Sequence, residues 1–134
     1  MVAQLLLGRG ITDPAVARSF IECKLSGLRD PDLLPGLPEA AARIHAAVLQ
    51  KRRIVIYGDY DADGMTAAGI LFSCLRLLGA DVGYHVPNRL EEGYGLNDDA
   101  LRKLAQHGAS MVVSVDCGIG SLRQAETARE VGLE

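Results

Sequence analysis

The chain has 134 residues, of which 49% are hydrophobic and 23% charged, a balance that suits one packed domain, or part of one, and argues against disorder. Its formal net charge of −3 argues against a wholesale basic nucleic-acid clamp, which needs clustered Lys and Arg, yet leaves a nuclease open because metal-holding carboxylates are themselves acidic. No apolar run approaches the roughly 20 residues of a spanning helix, and the opening MVAQLLLGRG lacks the basic start of a secretory signal, so no membrane association is expected.

Asp13-Pro14 is a helix start, a capping carboxylate followed by proline at the first helical position. Val16, Phe20, Ile21 and Leu25 then recur at helical spacing, predicting a helix from Pro14 to about Leu25. The stretch DPDLLPGLPEA, with Pro31, Pro35 and Pro38, reads as a surface connector. An alanine-rich helix is predicted from Pro38 to Lys51, where the basic run Lys51-Arg52-Arg53 suits a helix carboxyl end.

From Arg53 the pattern changes to strand, loop and helix, repeated. Ile54 to Tyr57 is a short apolar strand, followed by the loop GDYDADG and a helix from Thr66 to Leu78 closed by Gly79. Val82 to Val86 is the second strand, followed by the loop PNRLEEGYG and a helix that Asn97 caps and Gly108 stops. Met111 to Val115 is the third strand, ending in DCGIG, and Ser121 caps a last helix. Alternating strands and helices imply an α/β fold with a parallel sheet and helices on both faces, preceded by a helical lead-in. Continuous apolar strands imply burial on both faces. The expected division is a lead-in and connector over residues 1–52 and an α/β unit over residues 53–134. The rhythm calls for a fourth strand after Glu134, because three strands would leave an apolar edge unpaired. A truncated sheet, or one completed by another segment, is therefore expected.

The strongest chemical signal is Asp59, Asp61 and Asp63 in GDYDADG. Carboxylates this close repel one another, and a divalent cation relieves that repulsion. The loop follows the carboxyl end of a buried parallel strand, where open α/β sheets bind ligands. A single Asp-Gly pair would read as a solvated turn, but three alternating aspartates favour a metal. The string also matches the first half of an EF-hand loop, yet Ile70 stands where that motif needs a bidentate Glu, and a strand precedes it. Asp61-Ala62-Asp63-Gly64 resembles the nucleophile motif of haloacid-dehalogenase phosphatases. Met65 displaces the following Thr66 by one residue, and Asp59 goes unexplained.

Asp116 ends the third strand and is expected to approach Asp61 and Asp63 from a neighbouring strand tip. All-oxygen ligands would suit Mg²⁺ or Mn²⁺, and an added imidazole would favour Mn²⁺. Arg89, at the same edge, is expected to fork onto a phosphate, against the bland reading of an ion pair with Glu91 or Glu92. Tyr94 between Gly93 and Gly95 is as well suited to packing in a turn as to stacking on a base. His45, His85 and His107 read as structural or solvated. Cys23, Cys74 and Cys117 lack CxxC spacing and read as reduced thiols in a cytoplasmic protein, with no partner marking Cys117 as a nucleophile.

YGDYDADGMT, VPNRLEEGYGL and VSVDCGIGS, in this order, resemble the amino-terminal half of the catalytic core of the RecJ exonuclease family, within the DHH phosphoesterase superfamily. LLLGRGI and the proline-linked helices resemble that family's lead-in. The resemblance implies a two-metal phosphodiesterase degrading single-stranded DNA from its 5′ end to mononucleotides, in repair and recombination. It implies Asp61 and Asp63 as metal ligands with Asp59 supporting, Asp116 as a shared ligand, and Arg89 on a substrate phosphate. The Asp-His-His motif and the carboxyl-terminal domain of that family are not in this sequence. Weak metal binding and little activity are therefore expected of the chain alone, with the rest of the core supplied elsewhere. Two other functions remain open: a relative acting on short oligonucleotides or cyclic dinucleotides, and a non-catalytic binding or scaffold module.

Overall fold

The computed structural model describes residues 1–134. Contacts divide the chain into two compact units, Met1–Glu39 and Ala40–Glu134. In the first, α1 (Val2–Gly8) was not anticipated from the pattern, and α2 spans Pro14–Glu22. Asp13 caps α2 as its chemistry requires, its Oδ1 accepting the Ala15 and Val16 N–H groups at 2.6 and 3.2 Å. Short 3₁₀ turns at Leu25–Gly27 and Pro31–Leu33 carry the proline-rich connector.

The second unit is a parallel sheet of three strands in the order β2-β1-β3. Its helix α3 spans Leu37–Leu49, and β1 (Ile54–Gly58), α4 (Ala62–Leu77) and β2 (Val82–His85) follow. Then come α5 (Asp98–Gln106), β3 (Met111–Val115) and α6 (Leu122–Glu130). Contacts place α3 with the sheet, since its Ala47 and Val48 join Ile54, Ile56, Ala68, Leu75, Val82 and Met111 in one core cluster.

Side chains of β1 alternate between the two faces of the sheet. Ile54 and Ile56 enter the cluster with α3 and α4, whereas Tyr57 takes the other face, where its hydroxyl donates to the Gly95 carbonyl at 3.1 Å. Burial raises the Tyr57 hydroxyl to about 12, with the Glu92 carboxylate adding to the effect. Only β1 is buried throughout; β2 and β3 are partly open, because each has β1 on one side only. On the outer side of β3, the Glu134 N–H donates to Ser110 at 3.0 Å and the Val112 N–H donates to Glu134 at 2.8 Å, a parallel-ladder pattern. Arg43 and Arg52 grip the Glu134 carboxylate at 2.6 and 2.7 Å and hold it below the usual carboxylate range.

One boundary differs where it matters. The helix expected from Thr66 begins at Ala62, inside GDYDADG. Asp61 makes this possible, because its Oδ1 accepts the Gly64 N–H at 2.9 Å and so caps the helix. The first turn of α4 then lies almost on the end of β1. A Cβ on Gly64 would stand 2.6 Å from the Asp59 carbonyl oxygen and 2.7 Å from its nitrogen, and one on Gly58 would meet Gly64 O at 3.1 Å. Gly69, further along the helix, faces open space. Gly64→Ala is therefore expected to lower stability by about 1–3 kcal/mol, through overpacking against backbone that cannot give. Gly69→Ala is expected to be neutral or to stabilise by up to about 1 kcal/mol. Urea denaturation of both variants checks the contrast.

Candidate metal and phosphate site

The connection through α4 places β2 on one side of β1, and the connection through α5 crosses to place β3 on the other. Such a reversal opens a crevice at the carboxyl ends of the strands, where α/β sheets take ligands. Both aspartate segments end there. The strand register pairs Tyr57 with Ser114 and Gly58 with Val115, so Asp59 and Asp116 come next on adjacent strands.

Each carboxylate has a separate local cause. Asp59 is 2% exposed and accepts the Tyr60 N–H at 2.7 Å, which fixes it beneath the loop. Asp61 is exposed, with one oxygen committed to the α4 cap. Asp63 lies in the first turn of α4, where the helix dipole favours negative charge. Asp116 adopts a left-handed backbone with φ 59°, a conformation uncommon for a residue with a Cβ and tolerated best by Asn and Asp. Gly118, with φ 97°, completes the turn; a Cβ there would meet the Ser114 hydroxyl at 2.8 Å.

The strand tips converge electrostatically. Partial desolvation raises the Asp116 carboxyl, and the charges of Asp61, Asp63 and Asp59 raise it further. Tyr94 belongs to the same field, its hydroxyl raised first by Asp59 and also by Asp116 and Asp61. Burial, and then the charges of Asp59 and Asp116, push the Cys117 thiol up, which disfavours a thiolate. No three His, Cys, Asp or Glu side chains are gathered tightly enough to hold one ion. The donors thus suit a hard divalent cation in kind, while they are not drawn together into a set of ligands.

Arg89 lies at the tip of the loop after β2. It is in none of the chain's ion pairs, so the expected alternative of a bridge to Glu91 or Glu92 is not realised. Its guanidinium instead stands 5.3 Å from the centre of the Tyr60 ring, and that ring meets Tyr94 edge-on at 6.2 Å. A cation held on an aromatic face keeps its hydrogen-bonding edges free for a phosphate. No local pattern marks Tyr60, which stands between two aspartates in sequence, and only the folded loop brings its ring under Arg89.

Residues 53–134 match the model of the DHH family, N-terminal domain. The chain belongs to the DHH family. Over 134 residues it is 41% identical to the single-stranded-DNA-specific exonuclease RecJ of Bacillus subtilis, aligning across 100% of this chain and 17% of that protein. It is 35% identical to RecJ of Escherichia coli, across 99% of this chain and 22% of the relative. The crystal structure of Thermus thermophilus RecJ in complex with Mn²⁺ superposes with a TM-score of 0.71 at 31% identity, covering 99% of this chain and 18% of that one. The chain therefore spans about a fifth of these relatives' length. The DHH match disfavours the phosphatase reading, which had left Asp59 and Arg89 without a role. No helix is long and apolar enough to cross a membrane.

The raised Asp116 carboxyl has a consequence for stability. A carboxyl raised in the folded chain favours its protonated form, so its contribution is present at low pH and lost as pH rises through the raised value. Asp116→Asn is expected to raise the thermal midpoint of the metal-free chain at pH 7, and the gain is expected to vanish towards pH 3. Melting curves in chelator across this range check it.

Proposed function

We propose that this chain forms the metal-binding front of a phosphodiesterase site that removes mononucleotides from the 5′ end of single-stranded DNA. The observation that carries the proposal is the register that brings Asp59 and Asp116 just past the paired ends of adjacent strands, with Asp61 and Asp63 opening α4 at the same edge, at the switch point of the sheet. Identity to RecJ proteins along the whole chain supports single-stranded DNA as the substrate, and attack from the 5′ end is what the resemblance to that family implies.

In this reading Asp61, Asp63 and Asp116 are metal ligands, and Asp59 supports them from below by fixing the loop. The Mn²⁺ in the Thermus thermophilus RecJ structure favours Mn²⁺ over Mg²⁺ here, and imidazole ligands from the rest of the catalytic core would strengthen that preference. When bound, divalent ions supply Lewis acidity towards the phosphoryl oxygens and an attacking water. Arg89 binds a substrate phosphate through its free edge, and Tyr60 holds the guanidinium level. Tyr94, 68% exposed beside the carboxylates, offers a face to a base.

In the protein at full length, Asp61→Asn and Asp116→Asn are each expected to weaken Mn²⁺ binding about a hundredfold and to abolish mononucleotide release, in calorimetry and in assays on end-labelled single strands. Full Mn²⁺ affinity in both variants would defeat the reading. A preference for two- or three-nucleotide substrates over long strands would move the assignment to a relative acting on short oligonucleotides. Arg89→Ala is expected to weaken single-strand affinity about tenfold and lower the salt slope by about one, with Arg89→Lys in between. Anisotropy titrations at several salt concentrations measure both effects.

A further inference from the structure

The loop that carries Arg89 is shaped by a single acidic side chain. The Glu92 N–H donates to the Asn88 carbonyl at 2.7 Å, and the Asn88 N–H donates back to Glu92 Oε2 at 2.8 Å. Inside this reciprocal clasp the Leu90 N–H donates to Asn88 Oδ1 at 3.0 Å, so Arg89 rides the tip of a tight turn. The Glu92 carbonyl accepts from Asn97 Nδ2 at 3.3 Å, and Asn97 Oδ1 in turn caps α5 through the Asp99 and Ala100 N–H groups.

The second carboxylate oxygen faces inward. Glu92 Oε1 lies 3.4 Å from Nε2 of His85, the last residue of β2. That nitrogen is buried and has no hydrogen-bond partner, so the contact is within charge-pairing distance but outside hydrogen-bond alignment. The His85 ring packs 4.8 Å from Tyr57, whose hydroxyl ties down Gly95 at the far end of the same loop. A solvated surface glutamate would leave both oxygens in water. Glu92 turns both towards the protein, one to the turn and one to the sheet. Neighbouring Glu91 is exposed, takes part in no ion pair and supplies an internal control.

We propose that Glu92, backed by His85, is a positioning residue that holds Arg89 where a phosphate meets it. The proposal rests on the reading of Arg89 as the phosphate contact. Arg89 has no carboxylate to fix it, and the Tyr60 face restrains its height but not its direction. The turn sets the direction, and Glu92 sets the turn.

The test uses the protein at full length, with Mn²⁺ and a 5′-phosphorylated, phosphorothioate-linked single strand carrying a 3′ fluorophore. Glu92→Ala is expected to weaken binding about tenfold, Glu92→Gln less because its amide oxygen still accepts from Asn88, and Glu91→Gln not at all. In an Arg89→Ala background, Glu92→Ala is expected to add nothing, because it acts through the missing side chain. A full additional loss there would mark Glu92 as merely structural and overturn the proposal. Normal affinity in Glu92→Ala would overturn it too, while leaving the phosphate reading of Arg89 intact if Arg89→Ala still weakens binding. Hydrogen exchange at the Asn88 amide reads the clasp without any DNA. It is expected to quicken at least tenfold in Glu92→Ala, and unchanged exchange would overturn the proposal even if Arg89 itself proved irrelevant.

Discussion

The site depends on how closely the first turn of α4 can settle on the end of β1. Gly64 has no side chain to keep it from Asp59, and a methyl group there would press on the aspartate's backbone. That approach lets Asp61 serve as a cap and still leaves an oxygen outward, while Asp59 is buried at the base. With any larger residue at Gly64 the helix would ride higher, and the loop carboxylates would turn away from Asp116. Backbone contact, more than any attraction between the functional groups, sets their spacing.

Asp61 helps the fold as the cap of α4, but the carboxylates together work against it. Asp116 is held in a left-handed conformation, and its carboxyl is raised first by desolvation and then by its acidic neighbours, which repel one another. Strain and like charge of this kind concentrate where a ligand is meant to relieve them. The stability of the unit comes instead from Ile54, Ile56 and the residues that α3 and α4 bring to them. The division of labour follows the sheet: the apolar body of the strands supports, and their carboxyl ends carry the acidic side chains proposed as ligands.

The opposite face of the sheet works differently. Tyr57 and His85 are register partners on β1 and β2, and they meet the loop that ends at Asn97. Glu92 links that loop to the sheet and to its own turn. Arg89 thus reaches the mouth of the crevice from a restrained platform, although it lies on a stretch without helix or strand.

Much of this was legible in the residues. The strands and their order along the chain follow from short apolar runs between glycines, and Asp13 and Asn97 announce their helices because a cap is a local interaction. The expectation of a metal came from three alternating aspartates after a buried strand, whose mutual repulsion a cation would relieve. Tertiary structure alone decided what depends on partners distant in sequence. It moved the start of α4 back into the motif, because the Gly64 contact with Asp59 outweighs the loop-forming tendency of Asp and Gly. It put the Tyr60 ring under Arg89, and it turned Glu92 from a suspected partner of that arginine into the clasp of its turn. Periodicity and capping are written in neighbouring residues and can be read there; which side chains meet across a crevice is set by strand register and close packing, which no short stretch of sequence contains.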